Sequence, residues 1–268
     1  MRIFANFGGK SRDILQIFNP QTLFIGQSGV FFKEVDSTNS YLKEETTEAI
    51  LPEGFYVRTD FQRNGRGQGR NVWNSERGVN LLMSFVLRPD FLAPQHRHGI
   101  AMMVALAIRA LIQQALPTKE VRVKWPNDIF VGNKKIAGVL IENMTTHKKL
   151  TSIVGIGINV LQKEFPQNIH IPTSLFLEKE KIWSVQTQAE DLCWWLEKYY
   201  LLLRQDGGMK RIQNLYVSQL YRYNECVKIE GSHTEYLVKG VDDLGRLILQ
   251  NQDAVIHVLH NEKKIIWS

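Results

Sequence analysis

The chain has 268 residues, of which 44% are hydrophobic and 22% charged, shares that are typical of a soluble globular protein with a large core. Its formal net charge of +6 is compatible with nucleic acid or another acidic partner, but the basic residues are scattered and not clustered. The only two cysteines, Cys193 and Cys226, have no partner at metal-ligand spacing, which argues against a metal site or a disulfide framework.

No targeting or membrane segment is indicated by the sequence. The N-terminus lacks the pattern of a signal peptide, and the longest apolar run, residues 100–108, is too short to cross a bilayer. We therefore expect a cytoplasmic protein without a membrane partner.

The first motif in chain order is the run Asp-Ser-Thr-Asn-Ser at residues 36–40. Residues 1–29 show no sustained hydrophobic period, and we expect an N-terminal extension of unknown role there. Residues 30–35 predict a strand, and residues 36–40 predict the start of a helix, because these residue types are favoured N-caps. The same hydroxyls and amides could also hold a polar ligand.

A glycine-rich basic loop follows the strand that residues 55–59 predict. Between residues 58 and 73, three glycines alternate with longer side chains, in the order Gly65, Arg66, Gly67, Gln68, Gly69 and Arg70. Glycine lets successive amides face one point, and guanidinium groups add charge-assisted bonds to phosphate. Trp73 could stack on a base. The loop predicts a cradle for a nucleotide phosphate or acyl phosphate, with a solvated flexible loop as the alternative.

The middle of the chain predicts strands at residues 80–87, 121–125 and 152–160, and an apolar core helix at residues 101–115. Residues 129–131 and 134–141, joined by a Gly-Asn turn, predict a hairpin. Two helices are predicted at residues 187–203 and 208–219. Five short strands follow at residues 226–229, 235–241, 246–249, 254–259 and 265–267, which suggests a small barrel. We expect an N-terminal extension (1–29), a catalytic domain (30–221) and a C-terminal domain (222–268).

Five motifs together resemble those of the biotin–protein ligases. They are Ser37-Thr38-Asn39, Gly65-Arg66-Gly67, Lys124-Trp125-Pro126-Asn127-Asp128, Lys135-Ile136-Ala137-Gly138 and Gly155-Ile156-Gly157-Ile158-Asn159. Their order and spacing match the family over residues 30–160. The resemblance implies an α+β fold, with a class II synthetase-like mixed sheet, flanking helices and a small C-terminal SH3-like β-barrel.

The resemblance also implies a two-step reaction. Biotin and MgATP give biotinyl-5′-AMP and pyrophosphate, and the lysine of a biotin carboxyl carrier domain then attacks the mixed anhydride. It implies the monofunctional class of ligase, without specific DNA binding, and it leaves a homodimer open.

The site residues follow from the same resemblance. Arg66 and Lys135 are the implied catalytic residues, although Lys135 could be an ordinary hairpin lysine beside Lys134. The implied biotin-binding residues are Ser37, Thr38, Asn39, Gln62, Gly65, Arg66, Gly67, Gln68, Lys135 and Gly138. The implied ATP- and adenylate-binding residues are Arg66, Trp73, Asn127, Lys135 and Asn159. The amides of Gly65 and Gly67 are expected to face the anion, Asn127 and Asp128 to brace the site, and no residue is assigned to a metal.

Two positions depart from the family pattern. Gln68 stands where relatives often have arginine, and Arg70 where many have glycine or another residue. Because a charged donor bonds phosphate more strongly than a neutral amide does, we expect this protein to bind the adenylate more weakly than relatives with arginine at position 68.

Two other functions are compatible with parts of the sequence. A lipoate or octanoate-type protein ligase shares the fold, but that group lacks the run at residues 124–128. A nucleic-acid-binding module would fit the calculated pI of about 9.2, but it would show basic residues interleaved with exposed aromatics or a reading helix.

Overall fold

The computed structural model describes residues 18–69, 71–147, 149–166, 171–252, 256–259 and 265–267. The predictions for residues 1–17, for Arg70 and for residues 254–255 fall outside the described residues. Two sheets organise the rest, one of seven strands and one of five.

The larger sheet is mixed, as predicted. Its strands are β1 Gly29–Phe32, β2 Tyr56–Thr59, β3 Asn80–Leu87, β4 Val121–Lys124, β5 Asp128–Val131, β6 Lys134–Thr146 and β7 Lys149–Asn159. They lie in the order β1-β2-β3-β7-β6-β5-β4. The β1–β2 pair is parallel and the other pairs are antiparallel.

Helices cover both faces of this sheet. They are α1 Thr38–Glu48, α2 His98–Ala115, α3 Leu175–Glu178, α4 Val185–Arg204 and α5 Gly208–Ser218. Phe85 packs in the core that α2, α4 and α5 share, whereas its neighbour Val86 packs with Leu42 of α1. Alternate residues of a strand point to opposite faces, so α1 and α2 lie on opposite sides of β3. This explains why all eight residues of β3 are buried.

Helix α2 is the apolar helix that the sequence predicted. Among the described residues, the stretch Pro94–Ala115 is long and apolar enough to cross a membrane, but 67% of its apolar 18-residue window is buried inside the protein. That burial is expected of a core helix.

The five-stranded sheet lies at the C-terminal end. Its strands are β8 Cys226–Ile229, β9 Glu235–Val241, β10 Leu247–Gln250, β11 Ile256–Leu259 and β12 Ile265–Ile266, in the order β11-β10-β9-β8-β12. All its pairs are antiparallel, which agrees with the SH3-like expectation. Trp125 Nε1 donates to the Gly245 carbonyl at 3.0 Å and so ties this sheet to the loop before β5.

Strands β1, β6 and β7 differ most from their predicted bounds. Strand β1 ends at Phe32, and Val35 instead forms an isolated parallel bridge with Gln62. Strands β6 and β7 are longer than predicted, and their antiparallel pairing, which the sequence did not predict, continues to the pair Thr146 and Lys149. Polar residues between 142 and 151 conceal this extension, because they break the apolar pattern that marks a strand.

Candidate functional site

A pocket lies where the start of α1, the glycine loop and strands β5, β6 and β7 meet. Eleven of the predicted site residues line it: Ser37, Thr38, Asn39, Gln62, Arg66, Gly67, Gln68, Trp73, Asn127, Lys135 and Gly138. Its internal volume is about 120 Å³, which is small beside the ~300–1,000 Å³ of typical ligand sites.

The start of α1 supplies the polar wall of the pocket. Ser37 is the N-cap, and its hydroxyl accepts from the Ser40 amide at 3.4 Å, which confirms the predicted helix start. Thr38 and Asn39 are buried, and the Thr38 amide donates to Gln62 Oε1 at 2.8 Å. The residues that begin the helix therefore also line the pocket, and their binding of a polar ligand stays a prediction.

Ser84 of β3 lies beneath this wall and was missed by the sequence analysis. Its Oγ lies 2.6 Å from Thr38 Oγ1 and 2.7 Å from Asn39 Oδ1. The available signal was a single polar residue inside the apolar run at residues 81–87.

Arg66 reaches a carboxylate at the pocket edge that was also missed. Glu142 of β6 accepts from Arg66 Nη2 at 2.6 Å and Nη1 at 3.2 Å, from Lys43 Nζ at 2.9 Å, and from Asn39 Nδ2 at 3.0 Å. Partial burial raises the pKa of Glu142, but the hydrogen bonds from Lys43, Asn39 and Arg66 outweigh it and lower the pKa below its usual value. Glu142 is therefore an ionised partner of the first predicted catalytic cation.

Lys135 is the second predicted catalytic cation, and its ammonium points into the pocket. Its Nζ lies 2.7 Å from Asp128 Oδ1. Its backbone is held on the other side, where its amide donates to the Ile171 carbonyl at 2.9 Å and its carbonyl accepts from Thr173 at 2.8 Å. The neighbouring Lys134 instead pairs with Glu178 at 3.3 Å, outside the pocket. This separation favours the functional interpretation of Lys135 over that of an ordinary hairpin lysine.

The indole of Trp73 rests on the glycines of β6 and β7. A Cβ atom at Gly157 would come within 2.4 Å of the indole, and one at Gly138 within 3.0 Å. The Lys135 ammonium lies 5.8 Å from the ring centroid. Trp73 Nε1 is buried without a hydrogen-bond partner in the described part of the chain. The ring thus fills part of the pocket, and its predicted stacking on a base stays a prediction.

The glycine loop is folded on itself. Trp73 donates its amide to the Gly65 carbonyl at 3.0 Å, and the Gly67 amide donates to Asn71 at 2.8 Å. The expectation that the Gly67 amide faces an anion is therefore wrong for this conformation, because an internal hydrogen bond occupies it. Of the three glycines only Gly69 has a positive φ, of 61°. Gly65 is required for a different reason, since a Cβ there would lie 2.3 Å from the Trp73 carbonyl oxygen.

Two predicted residues lie outside the lining of this pocket. Gly65 borders a neighbouring cavity that shares Gln62 and Trp73 with it. Asn159 is buried, and its Nδ2 donates to the Thr173 carbonyl at 2.9 Å, which supports the segment paired with Lys135. Asn127 does line the pocket, and its side-chain amide bonds the Val139 carbonyl, as a bracing residue would.

Lys124 lies at the base of the loop that carries Asp128. Burial lowers its pKa to about 8, an effect that nearby Asp128 opposes and Lys135 reinforces.

Within the described ranges no group of three or more His, Cys, Asp or Glu side chains could hold a metal ion.

Comparison with known proteins gives one consistent family. The family model described as the biotin/lipoate A/B protein ligase family matches residues 31–159. The bifunctional ligase/repressor BirA of Bacillus spizizenii is 30% identical over 245 residues, which cover 89% of this chain and 74% of that protein. Biotin–protein ligase 1, chloroplastic, of Arabidopsis thaliana is 26% identical over 88% of this chain and 65% of its own length.

A solved structure agrees with these matches. The biotin protein ligase from Aquifex aeolicus in complex with biotin and ATP has a TM-score of 0.75 and 25% identity, covering 90% of this chain and 100% of that one. The chain therefore belongs to the biotin–protein ligase family.

Proposed function

We propose that this protein activates biotin with ATP as biotinyl-5′-AMP and transfers the biotinyl group to a lysine of a biotin carboxyl carrier domain. The observation that carries the proposal is the joining of two features in one pocket. A wall of hydrogen-bonding groups at the start of α1 can bind a neutral polar ring, and Arg66 and Lys135 supply positive charge beside it.

The reaction needs this combination. The biotin carboxylate attacks the α-phosphorus of ATP and pyrophosphate leaves, so two anions must meet while negative charge builds on the phosphate. Fixed positive donors beside that charge provide a large share of such catalysis. In the second step the lysine amine attacks the acyl carbon, AMP leaves, and the amine loses a proton. None of the enzyme's own side chains has to form a covalent bond.

Both predicted cations are already held by carboxylates, Arg66 by Glu142 and Lys135 by Asp128. These pairs keep the guanidinium and the ammonium at the pocket before an anion arrives. Binding of the anionic substrates would exchange these contacts for bonds to carboxylate and phosphate oxygens.

Magnesium is proposed to enter as part of MgATP. Asp128 is the carboxylate at the pocket beside Lys135. One of its oxygens already pairs with the Lys135 ammonium at 2.7 Å, so Asp128 alone would be a poor ligand set for a dedicated metal site. Mg²⁺ commonly binds through substrate phosphates with few protein carboxylates, which fits this arrangement.

The relatives are biotin ligases, which supports biotin over lipoate as the acyl group, although the family model covers both. Cytoplasmic location, a homodimer and the lack of specific DNA binding stay predictions. The last has a direct test, because a sequence-specific footprint at physiological salt would contradict it.

The proposal is tested with the purified protein, ATP, biotin and a biotin carrier domain, read by mass spectrometry. A mass increase of one biotinyl group is expected with biotin, and none with lipoate or octanoate. Lys135→Ala should abolish pyrophosphate release, whereas Lys134→Ala, its neighbour outside the pocket, should leave the rate unchanged. Equal rates for the two variants would contradict the role of Lys135.

A further inference from the structure

Ser84 lies directly behind the polar wall of the pocket and does not line it. The side chain is fully buried, at 0% exposure, on β3. Its Oγ contacts Oγ1 of Thr38 and Oδ1 of Asn39, two residues that do line the pocket. Any effect of Ser84 on a ligand must therefore pass through those two side chains.

The hydrogen-bond partners of Asn39 determine where the Ser84 proton goes. Asn39 Nδ2 lies 3.2 Å from the Leu140 carbonyl and 3.0 Å from Glu142 Oε2, which are both acceptors. The amide orientation is thereby fixed, and the atom that faces Ser84 is the carbonyl oxygen Oδ1. Since Oδ1 carries no proton, the Ser84 hydroxyl must donate to it.

The direction of the hydrogen bond between Ser84 and Thr38 follows from the number of hydroxyl protons. A serine hydroxyl has one proton, and that of Ser84 is committed to Asn39. Thr38 Oγ1, 2.6 Å away, must then donate its own proton to Ser84. Gln62 Oε1, which lies 3.1 Å from Thr38 Oγ1, is still satisfied by the Thr38 amide at 2.8 Å.

This chain of bonds sets the polarity of the wall. The hydroxyl proton of Thr38 is donated to Ser84, so Thr38 Oγ1 can only accept a hydrogen bond from a ligand in the pocket. Gln62 Oε1 already accepts from the Thr38 amide, so the Gln62 group left for a ligand, among the described contacts, is the donor Nε2. A cyclic urea presents N–H donors on either side of a carbonyl acceptor. Thr38 Oγ1 can accept from such an N–H group, and Gln62 Nε2 can donate to such a carbonyl.

We propose that Ser84 is a positioning residue that fixes Thr38 as a hydrogen-bond acceptor and Gln62 as a donor for the ureido ring of biotin. The proposal rests on the proposed function, since it takes biotin as the ligand. It assigns part of the ligand specificity to a residue that does not touch the ligand.

The test compares Ser84→Ala with Ser152→Ala. Ser152 is equally buried, at 1% exposure, and donates to Asn143 Oδ1 at 2.7 Å on β7, away from the pocket. Both variants lose one buried hydroxyl, so both melting temperatures should fall, that of Ser84→Ala somewhat more because its hydroxyl makes two hydrogen bonds. Ser84→Ala alone should weaken binding of biotin, measured by calorimetry without ATP, by about tenfold.

Further readouts separate positioning from general damage. In Ser84→Ala the KM for biotin should rise while the KM for ATP and the kcat at saturating biotin stay near wild type. Desthiobiotin, which keeps the urea and lacks the sulphur, should lose affinity in parallel. The effect of Ser84→Ala should shrink in a Thr38→Val background, because the hydroxyl through which it acts is already absent.

The outcomes are distinct. If Ser84→Ala binds biotin within about twofold of wild type while its melting temperature falls, Ser84 is structural and the proposal is wrong. Full additivity with Thr38→Val also overturns it. If Ser84→Ala does not fold, Ser84→Cys, which keeps the approximate size and a weak donor, takes its place. A folded Ser84→Cys that binds biotin several-fold more weakly than wild type supports the proposal, and one that binds it as tightly as wild type overturns it. Failure of the wild-type protein to bind biotin would refute the proposed function instead.

Discussion

Glu142 links three side chains at the edge of the pocket, and its charge holds them together. Arg66, Lys43 and Asn39 all donate to its carboxylate, whose side chain is 21% exposed. We expect Glu142→Gln to lower stability by about 1 kcal/mol, because the two cations are partly solvated and such pairs are weak. The larger expected effect is a rise in the KM for biotin, since Arg66 and Asn39 both lose their fixed partner. Urea unfolding and initial-rate kinetics measure the two effects.

A matched control is Glu225→Gln, which removes the 2.7 Å ion pair with Arg222 outside the pocket. It should cost a similar or smaller stability and leave the KM for biotin unchanged. If Glu142→Gln behaves like this control in the kinetic assay, Glu142 does not position the site.

The contribution of Glu142 to the free energy of unfolding should depend on pH. The folded-state pKa of Glu142 is lowered, so the unfolded chain binds a proton more readily than the folded one. Its contribution to stability is then present above the unfolded pKa and is lost as the pH falls through the folded pKa. The stability difference between wild type and Glu142→Gln should therefore shrink on acidification, as unfolding at a series of pH values would show. A difference that grows at low pH would contradict the lowered pKa.

At the scale of elements, the contact between the two ends of the glycine loop, Gly65 and Trp73, depends on one glycine. A Cβ at Gly65 would meet the Trp73 backbone at 2.3 Å, whereas one at Gly67 would meet Asn71 at 3.2 Å and needs only a small adjustment. We expect Gly65→Ala to displace Trp73 and to raise the KM for ATP or biotin several-fold more than Gly67→Ala does. Neither should lower the melting temperature much, because the loop lies outside the apolar core. Equal kinetic constants for the two variants would show that the fold of the loop is unimportant.

The sequence predicted most elements because their signals are local. The β3 run, the α2 helix and the Gly132-Asn133 turn each carry their own pattern, and the structure confirms them. Ser84 and Glu142 were missed because their importance depends on neighbours distant in the chain. Ser84 meets a helix start about 45 residues earlier, and Glu142 meets Arg66 across 76 residues. Such contacts exist only after the sheet has brought β3, β6 and α1 together.

The same limit applies to the glycine loop and to Asn159. The glycine pattern and the family resemblance suggested that the Gly67 amide faces an anion, but the loop satisfies that amide internally through Asn71. Buried backbone groups need partners, and a short loop can supply them without a ligand. Asn159 was placed by its motif, but which atom its amide bonds was decided by the path of residues 171–173.

At the scale of the molecule, one apolar cluster continues from the larger sheet into the C-terminal sheet. Ile108 of α2, Tyr216 of α5 and Val238 of β9 belong to the same cluster. A shared core makes separate unfolding costly, since the boundary between the sheets would expose apolar surface. We therefore expect a single calorimetric transition whose measured and van't Hoff enthalpies agree. Two resolved transitions would show that the C-terminal sheet folds on its own.

Tyr216 offers a sharper test of this coupling, because it connects the shared core to the site. Its ring is buried, and its hydroxyl donates to the Pro126 carbonyl at 3.0 Å, in the loop that leads to Asp128. Tyr216→Phe leaves that carbonyl without its partner, which should cost about 1–2 kcal/mol and lower the single melting temperature by roughly 2–8 °C. Since Asp128 holds Lys135, the same change should also slow adenylate formation. Tyr223→Phe, at an exposed position, should do neither. A loss of stability in Tyr216→Phe without any change in pyrophosphate release would mean that the loop holds Asp128 in place unaided.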